Sequence, residues 1–562
     1  MPVIIIGASA IPMLVYLIVG LKPAVRAVST SEYFIYAQKV SAADYANTSV
    51  AYALQVAALF LFVDWGIRYG LGALWVPIFW MAGFLLLYRA LPYFATFHGN
   101  PSTLHTYLFQ QFGQSRILQI SAAAATVIGL WGTMMTEIDY TVQLYALPGW
   151  VAQFSLLAFF LLFGIACIVW NGFKAEVHVE RFQLPASYCA LIIALLLLLP
   201  TIWNKTDTLS ALSIYSLLAL ALVVMAVGKF QTARRLDTAD WQIVIPLVSL
   251  LVLLGVCTFF NHRAMAFEGK NTWVPVPMQF KAQGIIGVVS LFAANALWMI
   301  VDLSTWQRIA AVQSEENGAF PITALRRGTL RVLFESPATW LFGIVLGWSI
   351  RGLGLMPVGA DPSEGLTRLG SALKTGSLQL VPPFSGLTWL VYPLLVYATV
   401  SIMLSTVNAL ASTISFTAFA DLPPYRSLVS HGEATVSNLR QARRWTLAVI
   451  GAGLIAFPAV RYALGTSLPT FLYCAYSAQL SLFPVAVLSL LRRNRDRTAA
   501  IASVLMGLCM TGVAGALSTI INDPSAAVMP PLFAVTASAI TYAIVYNPKR
   551  NPDIQALTKA EE

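Results

Sequence analysis

The chain has 562 residues, of which 58% are hydrophobic and only 10% are charged, with a formal net charge of +10. A water-soluble core cannot use so much apolar surface, so the composition excludes a soluble protein and indicates a polytopic membrane protein. The five cysteines fall in apolar runs and the five histidines are scattered. We therefore expect no disulfide framework, no metal cluster, no cofactor and no enzyme activity.

Long apolar runs predict the membrane spans in chain order. A helix advances about 1.5 Å per residue and the apolar core is about 30 Å thick, which gives about 15 spans. The first run lacks a basic leader and a cleavage site, so it is expected to stay as a span. Two runs exceed the required length, 117–146 and 388–420, and are expected to tilt or protrude. The predicted spans are 3–21, 46–69, 71–91, 117–146, 150–170, 182–202, 210–228, 242–260, 284–305, 334–353, 388–420, 444–463, 468–491, 498–521 and 528–546.

The basic residues alternate between the two sets of connecting segments. With the N-terminus placed outside, 25 of the 34 lysines and arginines fall on the inner side. This asymmetry follows the positive-inside rule and explains the basic charge without a nucleic-acid partner. The sequence predicts a multi-pass protein of the cell inner (plasma) membrane, with the N-terminus outside and the C-terminus in the cytoplasm.

Two predicted spans are interrupted by polar residues. The span 46–69 begins with "ANTSVAYALQ", and the span 468–491 contains "YCAYSAQLSLFP". Broken helices expose backbone groups at membrane depth, which is tolerated only where protein or a water-filled cavity covers them. This favours a transporter over a structural helix bundle.

A stripe of hydroxyl and amide side chains runs along the span 388–420. Its spacing of four and three residues places the members on one helix face. Small polar residues are typical of close helix packing in membranes. Alternatively, the hydroxyls of Ser405 and Thr406 bind a small hard cation, which prefers oxygen ligands. The stripe consists of Ser401, Ser405, Asn408, Ser412 and Ser415.

Four stretches, in order, carry a family resemblance. They are "NGFKAEVHVERFQ" (171–183), "VDLSTWQRIAAV" (301–312), the pair Ser405-Thr406 followed by Asp421, and "YCAYSAQLSLFPVAVLSL" (473–490). Over about residues 40–490 they resemble the sodium/solute symporter family, the carriers of proline, sugars, sialic acid and short carboxylates. In the first stretch, Glu180 stands where the family has Asp.

The resemblance implies an all-α, LeuT-like fold with a 5+5 inverted repeat. It divides the chain into a leading helix and linker (1–42), a first repeat (43–202), an inserted helix pair with an external loop (203–283), a second repeat (284–491), a C-terminal helix pair (492–546) and a cytoplasmic tail (547–562). The inserted pair has no counterpart in the family plan. It is either a docking site for a protein partner, a lid or a passive insertion.

The resemblance also implies a cation site. Its ligands are the hydroxyls of Ser405 and Thr406 and three backbone carbonyls, those of Ala51, Leu54 and Ile402. Glu180 maps to a carboxylate near the inner exit that helps to release the ion. The alternative for Glu180 is a surface ion pair with Arg181 or Lys174.

One departure from the family leaves the coupling ion open. Some members carry an Asp at the position of Ala53, and its absence favours either weaker cation binding or coupling to a proton. Ionisable residues within spans are functional candidates, here Glu137, Asp139 and Asp64. The first two are expected toward the outer half of their span, and Asp64 has Arg68 as an alternative partner one turn away.

The substrate pocket is expected from the fold the resemblance implies, on its first, third, sixth, eighth and tenth core helices. The middle of the core spans has no arginine or lysine, but the free amides of a broken half-helix would receive a carboxylate. Amides and aromatic rings suit a small polar organic solute: an amino acid, an amine or a short carboxylate. The candidates are Gln55, Gln143, Asn295, Trp298, Asn408 and Tyr473.

The sequence thus predicts a secondary active transporter in which a cation, Na⁺ or alternatively H⁺, drives symport of the solute across the lipid bilayer by alternating access. A solute sensor or receptor subunit with the same fold is the other class kept open.

Overall fold

The computed structural model describes residues 2–548, apart from 23–24, 95–102, 148, 207, 234–281, 315–318, 357–361, 422–435, 465–466, 492–494 and 522–523. The described residues are helical, and their β-structure is one isolated bridge between Val40 and Val312. The helices are α1 (Pro2–Gly20), α2 (Thr30–Ile35), α3 (Ala42–Ala53), α4 (Val56–Tyr69), α5 (Trp75–Phe94), α6 (Leu104–Gln111), α7 (Arg116–Leu144), α8 (Trp150–Asn171), α9 (Phe173–Lys205), α10 (Thr208–Ala233), α11 (Ala282–Phe292), α12 (Trp298–Val301), α13 (Leu303–Ala311), α14 (Ile322–Gly352), α15 (Gly365–Thr375), α16 (Thr388–Asp421), α17 (Val436–Leu464), α18 (Leu468–Leu480), α19 (Phe483–Leu490), α20 (Arg497–Ile521), α21 (Pro524–Ala527) and α22 (Pro530–Val545).

The helices match the predicted spans. Ten helices of the described part are long and apolar enough to cross a membrane, and the bent pair α3–α4 makes up to eleven; two shorter apolar helices lie at Ile4–Gly20 and Pro530–Val545. Each predicted span coincides with a helix except 242–260, which lies outside the described residues. The structure is therefore that of an all-α, multi-span membrane protein. Helices α9 and α14 are longer than expected, 33 and 31 residues, because each continues through a segment that was expected to be a loop.

The first interrupted span breaks where the sequence predicted. Helices α3 and α4 meet at 54° across Leu54 and Gln55. Leu54 leaves the helical region with ψ 53°, and Gln55 is extended with ψ 143°. The interruption at the other predicted place is a short turn between α18 and α19, with Pro484 at the start of α19.

A second broken span was not predicted. After α11 the chain forms a π-helical turn (Ala293–Leu297), continues as α12 and leaves the helix at Asp302, whose ψ is 108°. The Asp302 carboxylate then accepts hydrogen bonds from the backbone N–H groups of Ser304 and Thr305 and so caps α13. A side chain thus satisfies amide groups that a continuous helix would pair internally.

Two long helices organise the packing. Helix α16 is almost fully buried from Val391 to Asp421 and packs against α1, α7, α8, α9 and α17. Helix α14 packs against α3, α4, α5 and α10. A Cβ at Gly347 would lie 2.4 Å from the Val63 carbonyl oxygen of α4, so these two backbones approach closely only because glycine is present. Helix α10, which belongs to the segment predicted to be an insertion, packs on α14.

Candidate cation and substrate site

Helices α9 and α16 pack against each other and carry a group of buried oxygen atoms. Ser405 Oγ donates a hydrogen bond to Glu180 Oε1 at 2.6 Å. Glu180 Oε2 and the hydroxyls of Ser401 and Thr406 are buried and have no hydrogen-bond partner among the described residues. Of the predicted ion ligands, Glu180 and Ser405 are thus in direct contact. Thr406 is the next residue after Ser405, and its hydroxyl is buried without a partner among the described residues.

The surface ion pair considered for Glu180 is not formed. Arg181 instead makes two 2.8 Å hydrogen bonds to Asp44, and Lys174 lies 3.5 Å from Glu32. Glu180 is only 1% exposed. A buried carboxylate without a basic partner is costly, so this position is poised to take up a cation or a proton.

The predicted carbonyl ligands lie at the end of α3 and within α16. Ala51 is in the last turn of α3 and Leu54 is its C-terminal cap, where backbone carbonyls lack helical donors. Helix α3 packs against both α9 and α16, and Ile402 lies in α16. The neighbouring carbonyl of Ala53 is already engaged, since it accepts a 2.9 Å hydrogen bond from Trp340 Nε1.

Glu137 closes the broken helix. Its two carboxylate oxygens accept hydrogen bonds from the backbone N–H groups of Val56, at 2.6 Å, and Ala57, at 3.1 Å. Glu137 thus sits at the break and caps α4, and its place in the outer half of the span stays a prediction. Asp139, two residues further along α7, is 2% exposed. Asp64 pairs with Arg68 at 3.1 Å, as the pairing alternative predicted.

Aromatic side chains surround the same break. The Trp298 ring stacks on Tyr52 and on Trp80, each with a centroid distance of 5.8 Å, and lies 5.3 Å from Tyr476. The Tyr476 hydroxyl donates a 2.6 Å hydrogen bond to Gln55 Oε1. We call Tyr52, Trp80, Trp298 and Tyr476 the ring cluster. The rings contact one another in this conformation.

The predicted substrate residues divide into two groups. Gln55 lies in the break between α3 and α4, and Trp298 belongs to the ring cluster beside it. The Tyr473 ring is adjacent, with its centroid 6.3 Å from that of Tyr476. The others face elsewhere. Asn295 Nδ2 donates to the Leu291 carbonyl of its own helix, Asn408 Oδ1 accepts from Tyr16 of α1, and Gln143 lies half-buried near the end of α7.

The sequence missed a buried ion pair beneath the ring cluster. Arg308 Nη2 lies 2.7 Å from Glu176 Oε1, and its guanidinium lies over the Tyr52 ring at 4.6 Å from the centroid. The Tyr52 hydroxyl in turn donates to Asp302 at 3.2 Å. Arg308 is only 2% exposed, although it lies outside the predicted span 284–305. Because Arg308 is paired with Glu176, its positive charge is offset by the carboxylate.

A signal for these residues was present in part. Glu176, Asp302 and Arg308 lie in stretches that carry the family resemblance, but each lies at the edge of an apolar run, where a charged residue ordinarily faces water. Next to Arg308 lies a cavity of about 10 Å³, lined in part by Tyr45 and Tyr52, which is about the space of one water molecule.

Comparison with known proteins supports the fold. No family model and no curated protein matches the chain. A solved structure of a Na⁺-coupled sialic acid symporter, in a substrate-bound outward-open state, aligns with 98% of this chain and 98% of its own at a TM-score of 0.60 and 12% identity.

Two further solved structures align less well. The manganese transporter of Eremococcus coleocola has a TM-score of 0.47 at 12% identity, covering 90% of this chain and 94% of its own. Mhp1, a nucleobase-cation-symport-1 family transporter, has a TM-score of 0.41 at 14% identity, covering 95% and 99%. These two scores are too low to carry an argument. The likeness to the sialic acid symporter confirms the LeuT-like fold, and at 12% identity it shows the fold alone.

Proposed function

We propose that the protein is a secondary active transporter of the sodium/solute symporter type, which couples Na⁺ to the movement of a small polar organic solute by alternating access. The solute class is an amine, an amino acid or a short carboxylate. The observation that carries this proposal is the group of buried oxygens on Glu180, Ser401, Ser405 and Thr406, of which three lack any partner among the described residues.

Unpartnered buried oxygens favour an ion. Leaving a buried polar group unsatisfied costs about 1–3 kcal/mol, so three such atoms together make the ion-free state expensive. A small hard cation prefers oxygen ligands, and the carboxylate of Glu180 would offset its charge. Bound Na⁺ would satisfy these oxygens and so remove the cost. The carbonyls of Ala51, Leu54 and Ile402 would be its further ligands.

Transport follows from the position of these oxygens beside a broken helix. Helix α3 ends at the break that faces the ring cluster and packs against both α9 and α16. An ion that binds between α3 and α16 would therefore stabilise one arrangement of the two helices over another, which is what a ligand needs in order to shift a conformational equilibrium. The membrane potential adds about 2.3 kcal/mol per charge for each 100 mV.

The orientation and location belong to the same proposal. We place the N-terminus outside and the C-terminus in the cytoplasm of the plasma membrane, on the distribution of lysine and arginine.

The first test is ligand stabilisation of the purified, full-length protein. Its thermal unfolding is recorded with a library of amino acids, amines, short carboxylates, sugars and sugar phosphates. Each compound is tested in a sodium buffer and in a potassium buffer, and the potassium buffer contains no choline. We expect stabilisation by sodium itself and further stabilisation by a member of the first three classes only when sodium is present. Stabilisation that follows pH and ignores sodium would show that the ion is a proton. Stabilisation by a sugar phosphate alone would contradict the proposed solute class.

A further inference from the structure

The break between α3 and α4 carries a carboxylate where a substrate carboxylate would otherwise bind. The first N–H groups of a helix and its positive dipole end form an anion site. At α4 the chain fills that site itself, because both oxygens of Glu137 accept from Val56 and Ala57. An anionic solute arriving at this break would meet a negative charge, and the amides of Val56 and Ala57 are already engaged.

The groups around the ring cluster have more negative than positive charge. Glu137 and Asp302 each accept hydrogen bonds from uncharged N–H and O–H donors of the described residues. Arg308 is the base at this place, and it is matched by Glu176. The carboxylates of Glu137, Asp302 and Glu176 thus outnumber the one guanidinium, that of Arg308. Glu180 is not counted, because its charge is assigned to the coupling ion.

The rings that lie beside Glu137 are suited to a positive charge. An aromatic face attracts cations through its quadrupole, most strongly for tryptophan. The cluster already holds one cation in this way, since Arg308 lies 4.6 Å from the centre of the Tyr52 ring. Gln55, the residue before Val56, joins the carboxylate to the rings, because it accepts the hydrogen bond of Tyr476. Trp298 Nε1 is buried without a partner among the described residues, which leaves one donor for a polar group of the solute.

We infer that the solute is a compact organic cation, held between the Glu137 carboxylate and the faces of the ring cluster. This inference rests on the proposed transport function and narrows its solute class from amines, amino acids and carboxylates to positively charged amines or quaternary ammonium compounds. Glu137 is the residue that sets the preference for charge.

The test compares solutes of one shape and different charge. One series is choline, neohexyl alcohol, in which carbon replaces the nitrogen, and tert-butylacetate. The other is benzylamine, benzyl alcohol and benzoate. Binding to the purified full-length protein is measured by tryptophan fluorescence at millimolar concentrations, with and without sodium. We expect the cation to bind about tenfold or more tightly than its uncharged partner in at least one series.

A variant assigns the preference to Glu137. Glu137→Gln keeps the size of the side chain and one acceptor but removes the charge, so the cation preference should fall to about threefold or less. The control is Thr136→Val, since that hydroxyl donates to the Gly132 carbonyl of its own helix, and it should keep the full preference. The order of solute affinities is measured on the wild-type protein and needs no variant. The inference therefore remains testable even if the Glu137→Gln protein does not fold.

Each outcome has a definite meaning. An anion or an uncharged member that binds first in both series, or no binding of either cation, overturns the inference. An intact charge order in Glu137→Gln overturns the role of that residue. A charge order that persists while sodium has no effect would reject sodium coupling and keep the cation site. Sodium-dependent binding in which the anion binds most tightly would keep sodium coupling and reject the cation site.

Discussion

Replacing Thr406 with valine separates an ion ligand from a packing residue. Valine has nearly the shape of threonine but lacks the hydroxyl. The Thr406 hydroxyl is fully buried and without a partner among the described residues. If it serves a bound ion, its removal should have opposite effects on the ion-free protein and on ion binding.

The magnitudes come from the same atom. An unsatisfied buried hydroxyl costs about 1–3 kcal/mol, so the sodium-free Thr406→Val protein should be more stable than the wild type by up to that amount. Losing one ligand should weaken sodium binding by a similar free energy, which is about 5- to 150-fold in affinity. The two shifts have opposite signs, which a simple packing defect does not produce.

The assay is thermal unfolding of the purified variant across a sodium titration at constant ionic strength. The matched control is Thr417→Val, on the same buried helix, whose hydroxyl donates to the Thr413 carbonyl at 3.0 Å. Its loss should not stabilise the sodium-free protein, and the sodium midpoint should stay unchanged. An unchanged sodium midpoint in Thr406→Val would refute the ligand role.

Three further predictions follow from the charges. Glu180→Gln keeps an acceptor for Ser405 but removes the carboxylate, so the sodium needed for half-maximal stabilisation should rise about tenfold or more; an unchanged value in the same titration would place the ion elsewhere. Arg308→Ala leaves Glu176 buried and unpaired and should lower the free energy of unfolding by about 3–5 kcal/mol; the double variant with Glu176→Gln should recover part of the loss in thermal unfolding, and no recovery would contradict the pairing. A single cysteine placed in the segment 229–241 of a cysteine-free chain should react with an impermeant reagent only from the cytoplasmic side, since that segment is basic; labelling from outside would reverse the orientation.

The sequence predicts the membrane class and the span pattern because hydrophobic length is a local property. Apolar runs of fixed length must cross the bilayer as helices, so all but the span outside the described residues appear as helices. The break at Leu54 was also visible, since the polar stretch before it is unsuited to lipid. The second break was hidden because Asp302 follows a continuous apolar run and reads as its end.

The site was only partly predictable because it depends on contacts distant in sequence. Ser405 and Glu180 were identified by motif, but their hydrogen bond joins residues 225 positions apart. Asn408 belongs to the same stripe as Ser405, yet it turns to Tyr16 of α1. The position of Glu137 at the break follows from how α7 crosses α4, which neither periodicity nor composition records.

Net movement of solute under a sodium gradient tests the central claim most directly. Proteoliposomes are filled with a labelled solute that binds the protein, at the same concentration inside and outside, and only a sodium gradient is imposed at constant pH and clamped potential. The account predicts that solute accumulates on the low-sodium side and that Glu180→Gln, reconstituted to the same density, accumulates far less. Equal concentrations that persist under the sodium gradient, or accumulation that follows an imposed pH gradient instead, would contradict it.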